Sequence, residues 1–376
     1  MKAILGFIKR EAVLCISFAA ALISMIFVPP NAGYLGYVDW STLGILFCLM
    51  AVVKGFDSIG AFSRLSGTLT ARFHSTRTLG AALSLLCFFL AMLVTNDVSL
   101  ITIVPLTIAL FRELPEVLIR TVVLETAAAN LGSMATPVGN PQNLFIYTHY
   151  NMPIGDFFGI MLPPTLLSLL IIAASALLIP RAELAGREPA ARSADDSGGR
   201  KKLRTAIYIV LAAVCLCTVL RFLDWRICFA AVLVGTLAAD ARVLSRVDYA
   251  LLGTFICFFV FVGNISAIPV VQQFISGIVS DREMLAGVVI SQVISNVPCA
   301  VMLSGFTQNA GQLLLGVDLG GLGTLIASLA SLISFKFYCA SAGAKKGRYF
   351  AEFTLYNFAV LAVLFAAQSG INALAG

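Results

Sequence analysis

Thr136-Pro137-Val138-Gly139-Asn140-Pro141-Gln142-Asn143 interrupts a run over residues 117–150 whose flanks are otherwise suited to a helix. Two prolines and a glycine in so short a stretch remove backbone donors and favour non-helical dihedrals, so the run reads as a helix broken near its middle. The break sits in an apolar chain. Non-helical backbone is tolerated at membrane depth only where protein or a water-filled cavity satisfies its polar groups.

Upstream, the apolar stretch from Leu79 to Val94 runs into Thr95-Asn96-Asp97, resumes from Ile101 to Leu110 and then meets Arg112, Glu113 and Glu116. A full crossing takes about 20 apolar residues, and each arm is shorter than that. The pattern predicts a re-entrant hairpin over about 79–111 with a polar tip. Downstream the same order recurs: a second hairpin over about 284–314, turning at Ser295-Asn296-Val297-Pro298, then a broken helix over about 320–339 carrying Gly320-Gly321, Gly323, Ser328, Ser331 and Ser334. Side chains align as well. Asn96 falls on Asn296, Leu131-Gly132-Ser133 on Leu322-Gly323-Thr324, Asn140 opposite Ser331 and Tyr147 opposite Tyr338. The chain therefore divides into a first half (1–180), a hydrophilic linker (181–203) and a second half (204–376).

Composition agrees with a bilayer. Of 376 residues, 59% are hydrophobic and 12% charged, and mean hydropathy is +0.95, too apolar for a water-facing surface. The expected fold is all-α and polytopic. Further helices are expected near 11–28, 41–55, 157–180, 204–221, 226–241, 249–265 and 350–373, with a polar-punctuated surface helix over 58–72. Basic residues gather in three loops, Arg64 to Arg77, Arg181 to Arg204 and Lys345 to Arg348, which marks these loops and the N-terminus as cytoplasmic. With that topology the two hairpins open to opposite sides, as an inverted repeat does. Residues 1–28 resemble a signal peptide but lack a small-residue cleavage site, and read as a retained helix.

Several function classes lose their support. The nine cysteines lie in apolar runs without CxxC spacing, there are only two histidines, and HExxH, GxSxG and GxxxxGK[ST] are absent. An enzyme is not expected, nor a resident cofactor or structural metal. The net charge of +6 sits in loops where topology explains it, so nucleic acid is not an expected partner.

The polar groups at the interruptions are the candidate site. A carboxylate at bilayer depth costs at least about 2.5 to 3.5 kcal/mol, so Asp97 should face a wet cavity or a partner, or cap the helix that follows it. The tips Thr95-Asn96-Asp97 and Ser295-Asn296 each precede a helical arm whose positive end suits an anion. Unwound carbonyls and side chains at Thr136, Gly139, Asn140 and Asn143, and at Gly323, Thr324, Ser328 and Ser331, could coordinate sodium or relay to a proton-coupled group. Glu125, Asn130 and Lys336 read as interior or snorkelling residues.

Three motifs, TNDVSLITIVPL at Thr95 to Leu106, ATPVGNPQNLFIY at Ala135 to Tyr147 and SNVP at Ser295 to Pro298, resemble the ion transporter superfamily of arsenite permeases, citrate permeases, NhaD-type sodium/proton antiporters and divalent-anion/sodium symporters. The nearest likeness is to YbiR-type inner-membrane anion permeases. The symporter branch carries Ser-Asn-Thr at both tips, and this chain is closer to the arsenite-permease and antiporter pattern. The resemblance implies a scaffold domain that forms a homodimer, a transport domain holding both hairpins and both broken helices, and elevator-type movement in a bacterial inner membrane. It implies a secondary transporter for a small inorganic or organic anion, coupled to sodium or protons; were sodium the coupling ion, the hairpin tips at Asn96 and Asn296 are the candidate positions for it. A sodium/proton antiporter is the alternative within the class. A membrane-embedded enzyme or a structural subunit is the alternative outside it.

Overall fold

The computed structural model describes residues 11–183 and 199–375, apart from 32, 63–72 and 74. The described residues are overwhelmingly helical; one isolated bridge pairs Ser75 with Glu183. The first half comprises α1 (Ala12–Phe27), the one-turn α2 (Tyr34–Tyr37), α3 (Trp40–Ser58), α4 (Thr76–Val94), α5 (Asn96–Phe111), α6 (Pro115–Ser133), α7 (Pro141–His149) and α8 (Ile154–Ala176). After the linker come α9 (Gly199–Val219), α10 (Trp225–Asp240), α11 (Tyr249–Ser266), α12 (Pro269–Val279), α13 (Glu283–Ile294), α14 (Asn296–Ser304), α15 (Ala310–Leu319), α16 (Leu329–Ala340) and α17 (Lys346–Ala375). Among the described residues, seven helices are long and apolar enough to cross a membrane. The protein is a multi-pass membrane protein.

Local chemistry sets these boundaries. Proline opens α6, α7 and α12, where its missing N–H costs nothing. Carboxylates of Asp39, Asp224 and Asp248 accept backbone N–H groups at the starts of α3, α10 and α11. Arg221, beyond the end of α9, donates to the carbonyls of Tyr147 (3.1 Å), Asn151 (3.2 Å) and Met152 (2.8 Å) and lies over the Tyr147 ring. It closes the exposed C-terminal end of α7.

The hairpin and broken-helix pattern occurs twice. α4 and α5 meet at Thr95 and lead through α6 into a break over 134–140 before α7; α13 and α14 meet at Ser295 and lead through α15 into a break over 320–328 before α16. The second hairpin, expected to reach about 314, ends at Ser304. Ala310–Leu319, placed by that expectation in the hairpin's tail, is the first arm of the second broken helix, and the stretch from Gly320 is the break itself. The helix expected over 58–72 lies outside the described residues beyond Phe62, as does most of the linker. α12, strongly one-sided in its apolar residues, had no counterpart in the sequence reading.

The halves interlock. α7 packs on α14 and α15, while α16 packs on α5 and α6, so each second arm of a broken helix rests on the hairpin and first arm of the other half. One apolar core runs through both halves. A smaller cluster, with Cys48, Tyr208, Cys215 and Cys228, joins α3, α9 and α10 at the side.

Candidate functional site

Each hairpin tip is docked on its own break by the same backbone bond. Asn96 N–H donates to Gly139 O (3.2 Å) and Asn296 N–H to Ala327 O (2.9 Å). Thr95 (φ 97°) and Ser295 (φ 77°) occupy the left-handed region, which L-residues enter only where their surroundings fix them. These bonds make Asn140 and Ser328, the residues that open α7 and α16, equivalent. Side-chain likeness had set Asn140 opposite Ser331, three positions away; the backbone register corrects it.

Around the first tip the side chains form a closed network. Asn130, at the end of α6, accepts from Asn96 Nδ2 (3.0 Å) and Ser328 Oγ (3.0 Å) and donates to Ser331 Oγ (3.2 Å) and Gly321 O (3.5 Å). Asn130 thus joins hairpin 1 to the second break. The second tip is different. Asn296 is 4% exposed, yet its side chain has no hydrogen-bond partner among the described residues. A methyl group added to Gly321 would stand 2.8 Å from Asn296 Nδ2, so the amide lies directly on the second break.

The breaks are braced unequally. In the first, Asn140 Oδ1 caps Asn143 N (2.8 Å), and Asn143 Nδ2 reaches the carbonyls of Ser133, Met134 and Thr136. A Cβ on Gly139 would meet Ser133 O at 2.0 Å, so only glycine fits. In the second, Gln292 of α13 donates to Gly320 O and Leu322 O and accepts from Thr324 N, while Thr324 Oγ1 donates to Gln292 O. Gly323 there has φ 104°. Thr136 and Thr324 therefore spend their hydroxyls on Met92 O and Gln292 O.

Two carboxylates flank Asn140. Asp97 lines a cavity of about 110 Å³ together with Thr95, Asn140, Lys54 of α3 and Asp248, which caps α11. One buried water needs about 10–15 Å³, so this space takes several waters or one small anion. On the other side lies Asp318, 4% exposed at the end of α15, whose Oδ1 accepts from Asn140 Nδ2 (3.0 Å) and Gln142 Nε2 (3.1 Å). The structure thus gathers Asn96, Ser328 and Ser331 around Asn130, Thr95, Asp97 and Asn140 around the cavity, and Ser295 with Asn296 at the second tip.

Asp318, Gln142, Gln292, Lys54 and Asp248 were not singled out from sequence, and Asn130 was read only as structural. A carboxylate in an apolar arm, one residue short of Gly320-Gly321, was a usable signal for Asp318.

A model of the citrate transporter family matches residues 3–333. The chain is 31% identical over 327 residues to the inner membrane protein YbiR of Escherichia coli, covering 86% of this chain and 85% of that one. It is 31% identical over 302 residues to an uncharacterized transporter, MJ0456, of Methanocaldococcus jannaschii, covering 80% and 81%. A silicon efflux transporter of Oryza sativa is 33% identical over 132 residues, 34% of this chain and 27% of that protein.

Proposed function

The chain belongs to the citrate transporter family and is a membrane transporter, not an enzyme; on that premise we propose a secondary active transporter that moves a small inorganic or organic anion on a sodium or proton gradient. The observation that carries this reading is the twice-built unit in which a hairpin tip docks on a helix break through Asn96 N–H to Gly139 O and Asn296 N–H to Ala327 O. Such a unit brings helix N-termini and amide side chains to buried interruptions of the helices, an arrangement suited to an anion beside a coupling cation.

In this reading the halves 1–180 and 204–376 are an inverted repeat, both hairpins are re-entrant, and the hairpins and broken helices move together as an elevator against a scaffold in a homodimer. The protein lies in a bacterial inner membrane with its N-terminus cytoplasmic. The substrate contacts Thr95, Asn140 and Asn296; Asn96 serves to hold the first tip, and sodium, where it is the coupling ion, sits near Asn296. The modest cavity favours a small anion.

The presence of two carboxylates on either side of Asn140 favours one second reading, a sodium/proton antiporter in which Asp97 exchanges its proton for sodium. Proteoliposome uptake of arsenite, silicate, sulfate and citrate under sodium or pH gradients separates the two. Anion flux that falls in Asn296→Ala supports the anion transporter; sodium/proton exchange with no anion flux transfers the assignment to the antiporter.

A further inference from the structure

Among the described residues Glu125, Glu283 and Asp318 are buried and Asp97 is half-buried at the cavity, and the four differ in what faces them. Glu283 accepts from Thr307 and Asp97 shares its cavity with Lys54; Glu125 accepts from Thr107 and, like Asp318, leaves its second oxygen buried without a partner, but it lies in the unbroken middle of α6, away from either break. Asp318 stands apart because it sits where the two broken helices touch. Its Oδ1 is held by Asn140 and Gln142 from the far side of the first break, its Oδ2 is fully buried with no partner, and no Lys, Arg or His pairs with it among the described residues.

The surroundings bear this out element by element. On the helices packed against α15, Glu283 of α13 is bonded to Thr307 and Cys299 of α14 to Gly287 O; Tyr147 of α7 lies under Arg221, and His149 stacks on Phe145. Asp156 opens α8, five residues before the buried Met161, and makes no bond to Asp318. Glu116, Arg120, Arg348 and Glu352 of α6 and α17 pair with one another. Among the described residues the side-chain hydrogen bonds of Asp318 come from two amides and no charged group pairs with it.

A buried carboxylate without a counter-charge is unstable in its ionised form and resolves this by taking up a cation. The groups that bond Oδ1 are amide N–H donors, whose positive ends repel a metal ion. A proton on Oδ2 needs no such shell. We propose that Asp318 is the proton-binding site of the transport cycle, loading one proton on Oδ2 and passing the change to the cavity through Asn140, which bonds Asp318 on one side and lines the cavity on the other. This rests on the transporter reading above and sharpens it, assigning the coupling ion as a proton and its carrier as Asp318 in place of Asp97.

The test has two arms. Infrared titration of the purified full chain follows the C=O stretch of protonated carboxylic acids, in wild type, Asp318→Asn and the control Glu125→Gln. One protonated carboxyl disappears in Asp318→Asn and, in wild type, its band titrates; a titrating band left unchanged by Asp318→Asn overturns the proposal. In proteoliposomes loaded with arsenite, silicate or citrate, Asp318→Asn loses pH-gradient-driven accumulation but retains equilibrative counterflow; full accumulation overturns the proposal. If Asp318→Asn does not fold, Gln142→Ala decides: losing a donor to the carboxylate shifts the band's midpoint to higher pH, and an unmoved midpoint overturns it. If wild type moves none of the probes, the anion reading fails, while the infrared arm still decides whether Asp318 binds the proton.

Discussion

The two hairpin tips share a backbone and differ in what holds their side chains. At the first, Asn96 is tied to Asn130, and the break beneath it is braced from within by Asn140 and Asn143. At the second, Asn296 has no side-chain partner among the described residues, and the break is braced from outside by Gln292 of the hairpin's own arm. One tip is locked into the fold; the other keeps its amide available. On the reading proposed above, the near-symmetric architecture takes unequal roles, Asn96 supplying rigidity at the first tip and Asn296 supplying hydrogen-bonding capacity to spare at the second.

The largest effect should come from Gly139→Ala. The added methyl meets the Ser133 carbonyl, which is backbone and cannot swing aside, so a loss of about 3 kcal/mol is expected, read as a drop in unfolding temperature in detergent. Gly323→Ala places its methyl 2.2 Å from Gln292 Oε1, the end of a side chain, and adds positive-φ strain; about 2 kcal/mol is expected. If Gly323→Ala proves the more damaging, the ranking of a self-braced first break over an adaptable second one is wrong.

Gln292→Leu strips Gly320 O, Leu322 O and Thr324 N of their partner at once. Its expected cost is again about 2 kcal/mol. Asn143→Leu, which leaves the Asn140 cap intact, should cost only about 1 kcal/mol. Equal losses in the two variants remove the distinction between bracing from outside and from within.

The sharpest pair comes last because its stability effects are smallest. Asn96→Ala leaves Asn130 short of a donor and should cost about 1 kcal/mol. Asn296→Ala should stay within about 0.5 kcal/mol of wild type while anion uptake falls about tenfold, the worth of one hydrogen bond to a charged ligand. Thermal unfolding and uptake measured on the same preparations check both; unaltered uptake in Asn296→Ala sinks the unequal-roles argument.

The interruptions were legible in the chain because they depend on local chemistry. Thr95-Asn96-Asp97 and Ser295-Asn296 end apolar arms, and the two prolines around Gly139 and Asn140 announce a break by removing donors. The register between the repeats was not legible. Leu-Gly-Ser beside Leu-Gly-Thr attracts an alignment by side chain, whereas equivalence is fixed by which carbonyl each tip docks on. Ala310–Leu319 was misassigned because Gln308-Asn309 is a weaker punctuation than Gly320-Gly321. Asp318 and Asn130 escaped for another reason: their meaning comes from Asn140, Gln142, Ser328 and Ser331, each more than 170 positions away along the chain.

Arg221 holds the end of α7 from outside, through three carbonyls and one aromatic face. Any rearrangement that parts α7 from the end of α9 has to release all of these contacts together, since they share one guanidinium. At a net worth of about 1–2 kcal/mol for so exposed a group, that shared release lengthens the wait for such an event by roughly tenfold. A single side chain remote from the buried polar groups would thereby slow any such separation.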